Sequence, residues 1–287
     1  RILLVKTSSL GDVIHNLPVI SDIRAHFPDA RIDWCVEESF ASIPRLHPDV
    51  EQIIPVAIRR WRKNLLSRRT WQEIGELRQN LRGASYDVIL DTQGLLKSAL
   101  VARQATGLHI GYAADSAREP IASRFYEQRH SIPTAAHAVV RNRQLAAAAL
   151  GYTVESDPDY GITASPLASD WLPASPYVVF LTATSRDDKL WPENHWLALG
   201  RELQQQGYNA VLPGGSPTER ERAERLARGI TGAVAAPPMS IPELAALLAG
   251  SAGVAGVDTG LTHLAVALKI PTVALYSFKP SGTNSVE

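Results

Sequence analysis

Short apolar runs alternate with helix-length patterns from one end of this chain to the other, and that alternation leaves few folds open. In the first half the strand-like runs fall at residues 2–5, 32–36, 53–56 and 87–91, with helical patterns at 12–27, 70–81 and 137–150. The pattern restarts with strands at 177–182, 209–213, 233–236, 253–257 and 272–276, and helices at 193–206, 218–229, 241–250 and 261–270. Runs this short and this apolar suit strands buried on both faces. Joined through helices, they make parallel sheets with helices on either side. The stretch 163–176, rich in Pro, Ser and Ala, reads as a linker. The predicted architecture is α/β: two Rossmann-like domains, 1–162 and 177–287, facing across a cleft. A chain of 287 residues suits two domains of about 100–200 residues each.

Composition removes several functions. Lys+Arg and Asp+Glu both number 29, so the net charge is zero and no global field points to nucleic acid. Cys35 is the only cysteine, which rules out a disulfide framework within the chain and favours a reducing compartment. No stretch approaches a membrane span and none reads as a signal h-region. A soluble, cytoplasmic protein is therefore expected. The eight histidines are scattered, without metal-ligand spacing. Asp157-Pro158-Asp159 matches a D-x-D pattern but lies beside the linker rather than at a strand end. Neither a metal nor another cofactor is expected.

Chemistry in an open α/β sheet gathers at the carboxyl ends of strands, and four such places stand out. Asp258-Thr259-Gly260-Leu261-Thr262-His263 puts a carboxylate, hydroxyls and a glycine into one strand-to-helix turn. The amides and dipole of a helix starting there suit phosphate. The first turn, Lys6-Thr7-Ser8-Ser9-Leu10-Gly11-Asp12, is neither G-x-G-x-x-G nor a Walker A loop. Asp12 there reads either as a helix N-cap or as a general base. Thr184-Ser185-Arg186-Asp187-Asp188-Lys189 offers hydroxyls and a lysine for a diphosphate, or is a solvated charged loop. After 209–213 come Gly214-Gly215-Ser216-Pro217-Thr218-Glu219. Glu219 could hold ribose hydroxyls, or Thr218 could cap the helix with Glu219 complementing its dipole.

The strongest local charge is Arg59-Arg60-Trp61-Arg62-Lys63-Asn64-Leu65-Leu66-Ser67-Arg68-Arg69, six cations without an acid. A solvated face is the ordinary reading of such a run. The interleaved Trp61, Leu65 and Leu66 also suit an acidic amphiphile or an anionic membrane surface. No nucleic-acid module accompanies the run.

Taken together, the turns at 6–12 and 258–263, the basic run, Asp91-Thr92-Gln93-Gly94-Leu95-Leu96-Lys97-Ser98 and the 186–192 segment resemble the bacterial ADP-heptose:lipopolysaccharide heptosyltransferases. The resemblance runs from residue 1 to about 276 and is closest to the heptosyltransferase I branch, which adds the first heptose to Kdo2-lipid A. It implies a GT-B fold and inversion at the anomeric carbon without a metal. ADP-heptose would be the donor, Kdo2-lipid A the acceptor, and the cytoplasmic face of the inner membrane the place of work. By position it implies Asp12 as catalytic base and Lys189 as partner of the leaving diphosphate. Thr184, Ser185, Lys189, Glu219, Asp258, Thr259, Gly260 and His263 would hold the donor. Arg59, Arg60, Arg62, Lys63, Arg118, His137 and Arg141 would hold the acceptor. The family continues into a longer segment with a helix returning to the first domain. Nothing comparable follows Tyr276 here, so an incomplete tail is expected, as the absent initiator methionine also suggests. Transfer of the second heptose, a non-hydrolysing nucleotide-sugar epimerase and a non-catalytic nucleotide-sugar binder are the alternatives.

Overall fold

A computed structural model describes residues 1–184 and 189–276, and the chain divides after Ile162 into two units. The first unit opens with β1 (Ile2–Val5), whose four residues are all buried. Then come α1 (Leu10–Ile14), α2 (Leu17–His26), β2 (Ile32–Glu37), β3 (Val50–Val56), α3 (Ile58–Lys63) and α4 (Arg68–Gly83). β4 (Ser85–Asp91), α5 (Leu96–Ala102), β5 (Thr106–Tyr112), β6 (Gln128–His130) and α6 (Ala138–Leu150) complete it. The strand order is β3-β2-β1-β4-β5-β6, and every neighbouring pair is parallel. One core joins Leu3 and Val5 to Trp61, Leu77 and Leu81, so α3 and α4 cover one face.

The helix expected over 12–27 is broken in two. Pro18 stands in the first turn of α2. In one continuous helix it would lack an N–H and press on the carbonyl of residue 14. The chain therefore stops at His15 and restarts at Leu17. Strands β5 and β6 and helix α5 were not expected. His109 and the glycines at 107 and 111 interrupt the apolar run of β5, although its last four residues are buried.

The second unit repeats the plan with β7 (Tyr177–Leu181), α7 (Glu193–Gln205), β8 (Asn209–Leu212), α8 (Pro217–Arg228) and β9 (Val234–Ala235). α9 (Ile241–Ala249), β10 (Gly253–Val257), α10 (Gly260–Ala267) and β11 (Thr272–Leu275) follow. Its order is β11-β10-β7-β8-β9, again all parallel. Phe180 and Trp196 meet in its core with ring centroids 5.0 Å apart. Residues 163–176 cluster with this unit, where Leu167 N–H donates to the Ala246 carbonyl at 3.0 Å.

In each sheet the strand order reverses once, between β1 and β4 and between β7 and β10. The loops leaving the two strands at such a point diverge and open a crevice at their carboxyl ends. Of the candidate turns read from the sequence, those at 6–12, 184–189 and 258–263 follow β1, β7 and β10, and the segment 91–98, part of the family resemblance, follows β4.

Candidate active site

At the switch point of the first unit stands Gln93. Its Oε1 accepts the amides of Thr7 (3.0 Å) and Ser8 (3.1 Å), tying the loop after β4 to the loop after β1. Asp91, fully buried, accepts the amides of Gln93 and Gly94 and the Tyr126 hydroxyl. Gly94 has φ +67°, and a Cβ there would come within 3.4 Å of the Arg118 amide nitrogen. Its carbonyl accepts Glu119 N–H at 3.0 Å, and Glu119 in turn accepts the amide of Leu96. This glycine lets the segment carrying Arg118 lie against the turn.

Arg118 consequently reaches Asp12. Nη2 donates to Oδ1 at 2.5 Å and Nη1 to Oδ2 at 3.2 Å. Asp12 is not the N-cap of α1. Ser9 caps, and Asp12 stands three residues on, accepting the Ser9 amide at 2.9 Å and its hydroxyl at 3.1 Å. Burial would raise the Asp12 pKa. The Arg118 hydrogen bonds, the Lys6 charge and the Ser9 amide outweigh it and hold the carboxyl below the ordinary 3.8. Lys6 is buried, with Nζ donating to the Thr92 carbonyl (2.7 Å) and Asn142 Oδ1 (3.3 Å). Burial pulls its pKa down to about 8 against the attraction of Asp12 and Asp91. Arg141 lies 5.0 Å over the Tyr112 ring and donates to the Ser116 carbonyl at 2.5 Å. A narrow crevice is thus lined by Lys6, Gln93, Tyr112, Arg118, Arg141 and Asn142. Three cations in one crevice, one of them paired with the Asp12 carboxylate, suit an anionic molecule presenting a hydroxyl.

The other acceptor candidates are placed differently. His137 caps α6, its Nδ1 accepting Val139 N–H at 3.3 Å. Arg60 is committed to Glu38 (3.1 Å) and Glu73 (2.8 Å), and buried Trp61 donates to the same Glu73 at 2.7 Å. Arg60 is therefore a brace for α3. Arg59 sits 5.0 Å over the Phe40 ring, while Arg62 and Lys63 are exposed.

At the second unit's switch point, Lys189 Nζ donates to Asp258 Oδ2 at 2.5 Å, and His263 Nε2 lies 3.6 Å from Oδ1. The Lys189 hydrogen bond, against partial burial, holds the Asp258 carboxyl below 3.8. Thr184 Oγ1 donates to the Asp258 carbonyl at 3.0 Å, joining the loops after β7 and β10. Thr259 is the N-cap of α10, and Gly260 begins the helix. Its first amides have no partner within the helix and can receive phosphate oxygens. Ser185 lies outside the described residues. Glu219 completes a capping box on α8: Ser216, not Thr218, is the cap, and Glu219 Oε2 accepts the amides of Gly215 (2.8 Å) and Ser216 (2.9 Å). Among the described residues no three His, Cys, Asp or Glu converge as a metal site. Asp157 and Asp159 are exposed.

Each unit has its own cluster: the first holds Asp12, Arg118 and Arg141, and the second holds Thr184, Lys189, Asp258, Thr259, Gly260 and His263. Lys6, Gln93 and Asn142 belong to the first group without having been singled out as site residues. A lysine ending a wholly buried strand was the available signal for Lys6.

Residues 74–283 match glycosyltransferase family 9 (heptosyltransferase). The lipopolysaccharide heptosyltransferase 1 of Pseudomonas aeruginosa is 49% identical over 283 residues, 96% of this chain and 78% of that protein. The enzyme of the same name from Escherichia coli K12 is 47% identical over 278 residues, 96% of this chain and 87% of that one. A solved structure of the E. coli heptosyltransferase WaaC with ADP-2-deoxy-2-fluoro heptose superposes with a TM-score of 0.90 at 46% identity, covering 99% of this chain and 91% of that chain.

Proposed function

The chain belongs to glycosyltransferase family 9, the heptosyltransferases, and from there we propose that it moves L-glycero-D-manno-heptose from ADP-heptose to Kdo2-lipid A. This is the first heptose transfer of the lipopolysaccharide inner core, and the relatives at 46–49% identity carry the name heptosyltransferase 1. The GT-B architecture, two parallel α/β units, agrees. The observation that carries the reaction assignment is Asp12 at the first switch point, held as a carboxylate by its two-point pair with Arg118 and by the charge of Lys6.

In this reading a Kdo hydroxyl of the acceptor attacks the anomeric carbon of the donor heptose from the face opposite ADP, inverting that centre. The hydroxyl proton passes to Asp12 as the new C–O bond forms, and the bond to the diphosphate oxygen breaks with its electron pair leaving on ADP. A carboxylate with a depressed pKa takes a proton only late, when positive charge has built up on the attacking oxygen. Lys189 and the first amides of α10 meet the charge growing on the departing diphosphate. Asp258 and His263, beside Lys189, face the donor sugar. Thr184, Ser185, Thr259 and Gly260 complete the donor side with Glu219 near the ribose. Arg59, Arg62, Lys63, His137 and Arg141 serve the acceptor's negative groups, with Arg118 passing between acceptor and base. The chemistry needs no divalent metal.

The acceptor is a lipid, and in this reading the enzyme works as a peripheral protein at the cytoplasmic face of the inner membrane. Incubation with ADP-heptose and Kdo2-lipid A should add the mass of one heptose to the acceptor and release ADP. An acceptor left unchanged while ADP-heptose is epimerised or merely bound would sink the assignment.

A further inference from the structure

Between α3 and α4 the chain makes a four-residue turn, Asn64-Leu65-Leu66-Ser67, that the reaction does not use. Leu66 is 102% exposed and Leu65 54%, and Trp71, one turn into α4, is 60% exposed. Exposure of three large apolar side chains at one tip costs hydration free energy that a loop of polar residues would avoid.

The tip is held in that state by its own bonds. Asn64 N–H donates to the Trp61 carbonyl and Ser67 N–H to the Asn64 carbonyl, both at 3.0 Å. The Trp71 indole donates to the Leu65 carbonyl at 2.8 Å. Below it, Trp61 is buried and fixed by Glu73. One tryptophan thus anchors the segment in the core while the other stands outside. The flanking positions are cationic: Arg62 and Lys63 end α3, Arg68 begins α4, and all three are exposed. No acid occurs between residues 59 and 69 of a chain with zero net charge.

We propose that this tip inserts into the surface of an anionic lipid bilayer. Leu65 and Leu66 would enter the acyl boundary, Trp71 would sit at the headgroup level and Arg68 would pair with lipid phosphate, with Arg62 and Lys63, which serve the acceptor, adding their charge to the attraction. Apolar insertion combined with cationic contact is the physical recipe for reversible interfacial binding. Tryptophan, apolar with one donor, favours that boundary. The proposal deepens the transferase reading: the bilayer is held by the tip itself, independently of any acceptor molecule.

The test uses sucrose-loaded vesicles of phosphatidylcholine alone, or of phosphatidylcholine mixed with phosphatidylglycerol to give a negative surface potential, and neither donor nor acceptor. The protein should sediment with the anionic vesicles and not with the neutral ones. Leu65→Ser/Leu66→Ser should lower the partition coefficient at least about tenfold, and Arg68→Ser should weaken binding in a salt-dependent way. Turnover on a Kdo acceptor stripped of its acyl chains should match wild type for the double variant, which also shows that it folds. Equal binding of wild type and double variant overturns the proposal and leaves the transferase reading intact. So does binding of the tip to another protein in place of the vesicles. No transfer by the wild type to either acceptor overturns the transferase reading, whatever the vesicles show.

Discussion

Arg118 and Asp12, 106 positions apart in the chain, form a two-point ion pair with Nη2–Oδ1 at 2.5 Å and Nη1–Oδ2 at 3.2 Å. The guanidinium proposed to receive an acidic acceptor is the same group that keeps the Asp12 carboxyl ionised. Arg118→Ala removes the leading cause holding the Asp12 pKa down, while burial still pushes it up. In the proposed reaction Asp12 acts as the carboxylate, and activity is lost as pH falls through its pKa. The acid limb of kcat/KM should therefore move to higher pH in Arg118→Ala. An unmoved limb would separate Arg118 from the base.

Asp12→Asn keeps the capping geometry but cannot take a proton. Turnover should fall roughly 10²–10⁴-fold, with ADP affinity in a calorimetric titration nearly unchanged. Near-normal turnover would reduce Asp12 to its part in the capping box with Ser9.

Lys6 offers a stability experiment. Its folded pKa of about 8 lies below the ordinary 10.5, so the unfolded chain binds more protons across that interval. Stability should rise with pH between those two values, and below about 8 the charged buried ammonium weighs against the fold. Lys6→Met should lack this component. The difference in denaturation midpoint between wild type and variant should thus change over that window and level off outside it.

On the donor side, Lys189→Ala should lower kcat/KM by about 10²–10³-fold, the scale of one electrostatic stabiliser at a charged leaving group. Asp258→Ala frees Lys189 from its carboxylate partner, so it should impair transfer while ADP binds at least as tightly as to wild type. EDTA should leave turnover intact. Inactivation by EDTA with recovery on adding Mg²⁺ or Mn²⁺ would bring Asp157 and Asp159 back as metal ligands.

The basic run should divide by function. Arg60→Ala should loosen α3 and lower the melting temperature, because Arg60 is shared between Glu38 and Glu73. Arg62→Ser/Lys63→Ser should instead raise the acceptor KM and flatten its salt dependence, with the donor KM little changed. If the two variants behaved alike, the paired and exposed cations would have the same role.

How much of this was readable in one dimension follows from the range of the forces involved. Strands such as residues 2–5 and 253–257 declare themselves because burial on both faces demands unbroken apolar runs. The positions of Asp12, Thr184 and Asp258 at strand ends follow from that alternation alone. Local capping was legible only in kind: Asp12 and Glu219 were placed at helix starts, but Ser9 and Ser216, three residues earlier, take the cap. Strand β5 was lost because His109 and two glycines interrupt its apolar run. Gly111 is there since a Cβ would strike the Tyr126 ring at 2.4 Å, a neighbour 15 residues away that no local pattern announces.

Sequence by itself determined the two-unit α/β plan, the strand-end turns and the segment densest in cations, since each rests on neighbours within a few residues. Only the tertiary structure decided which charges are spent and which remain. It pairs Arg118 with Asp12, Lys189 with Asp258 and Arg60 with Glu38 and Glu73, and it buries Lys6 while leaving Arg62 and Lys63 exposed. The physical reason is that an ion pair's partner and a lysine's burial are set by distance in space. In a parallel sheet, crossover connections bring together residues that lie tens of positions apart in the chain.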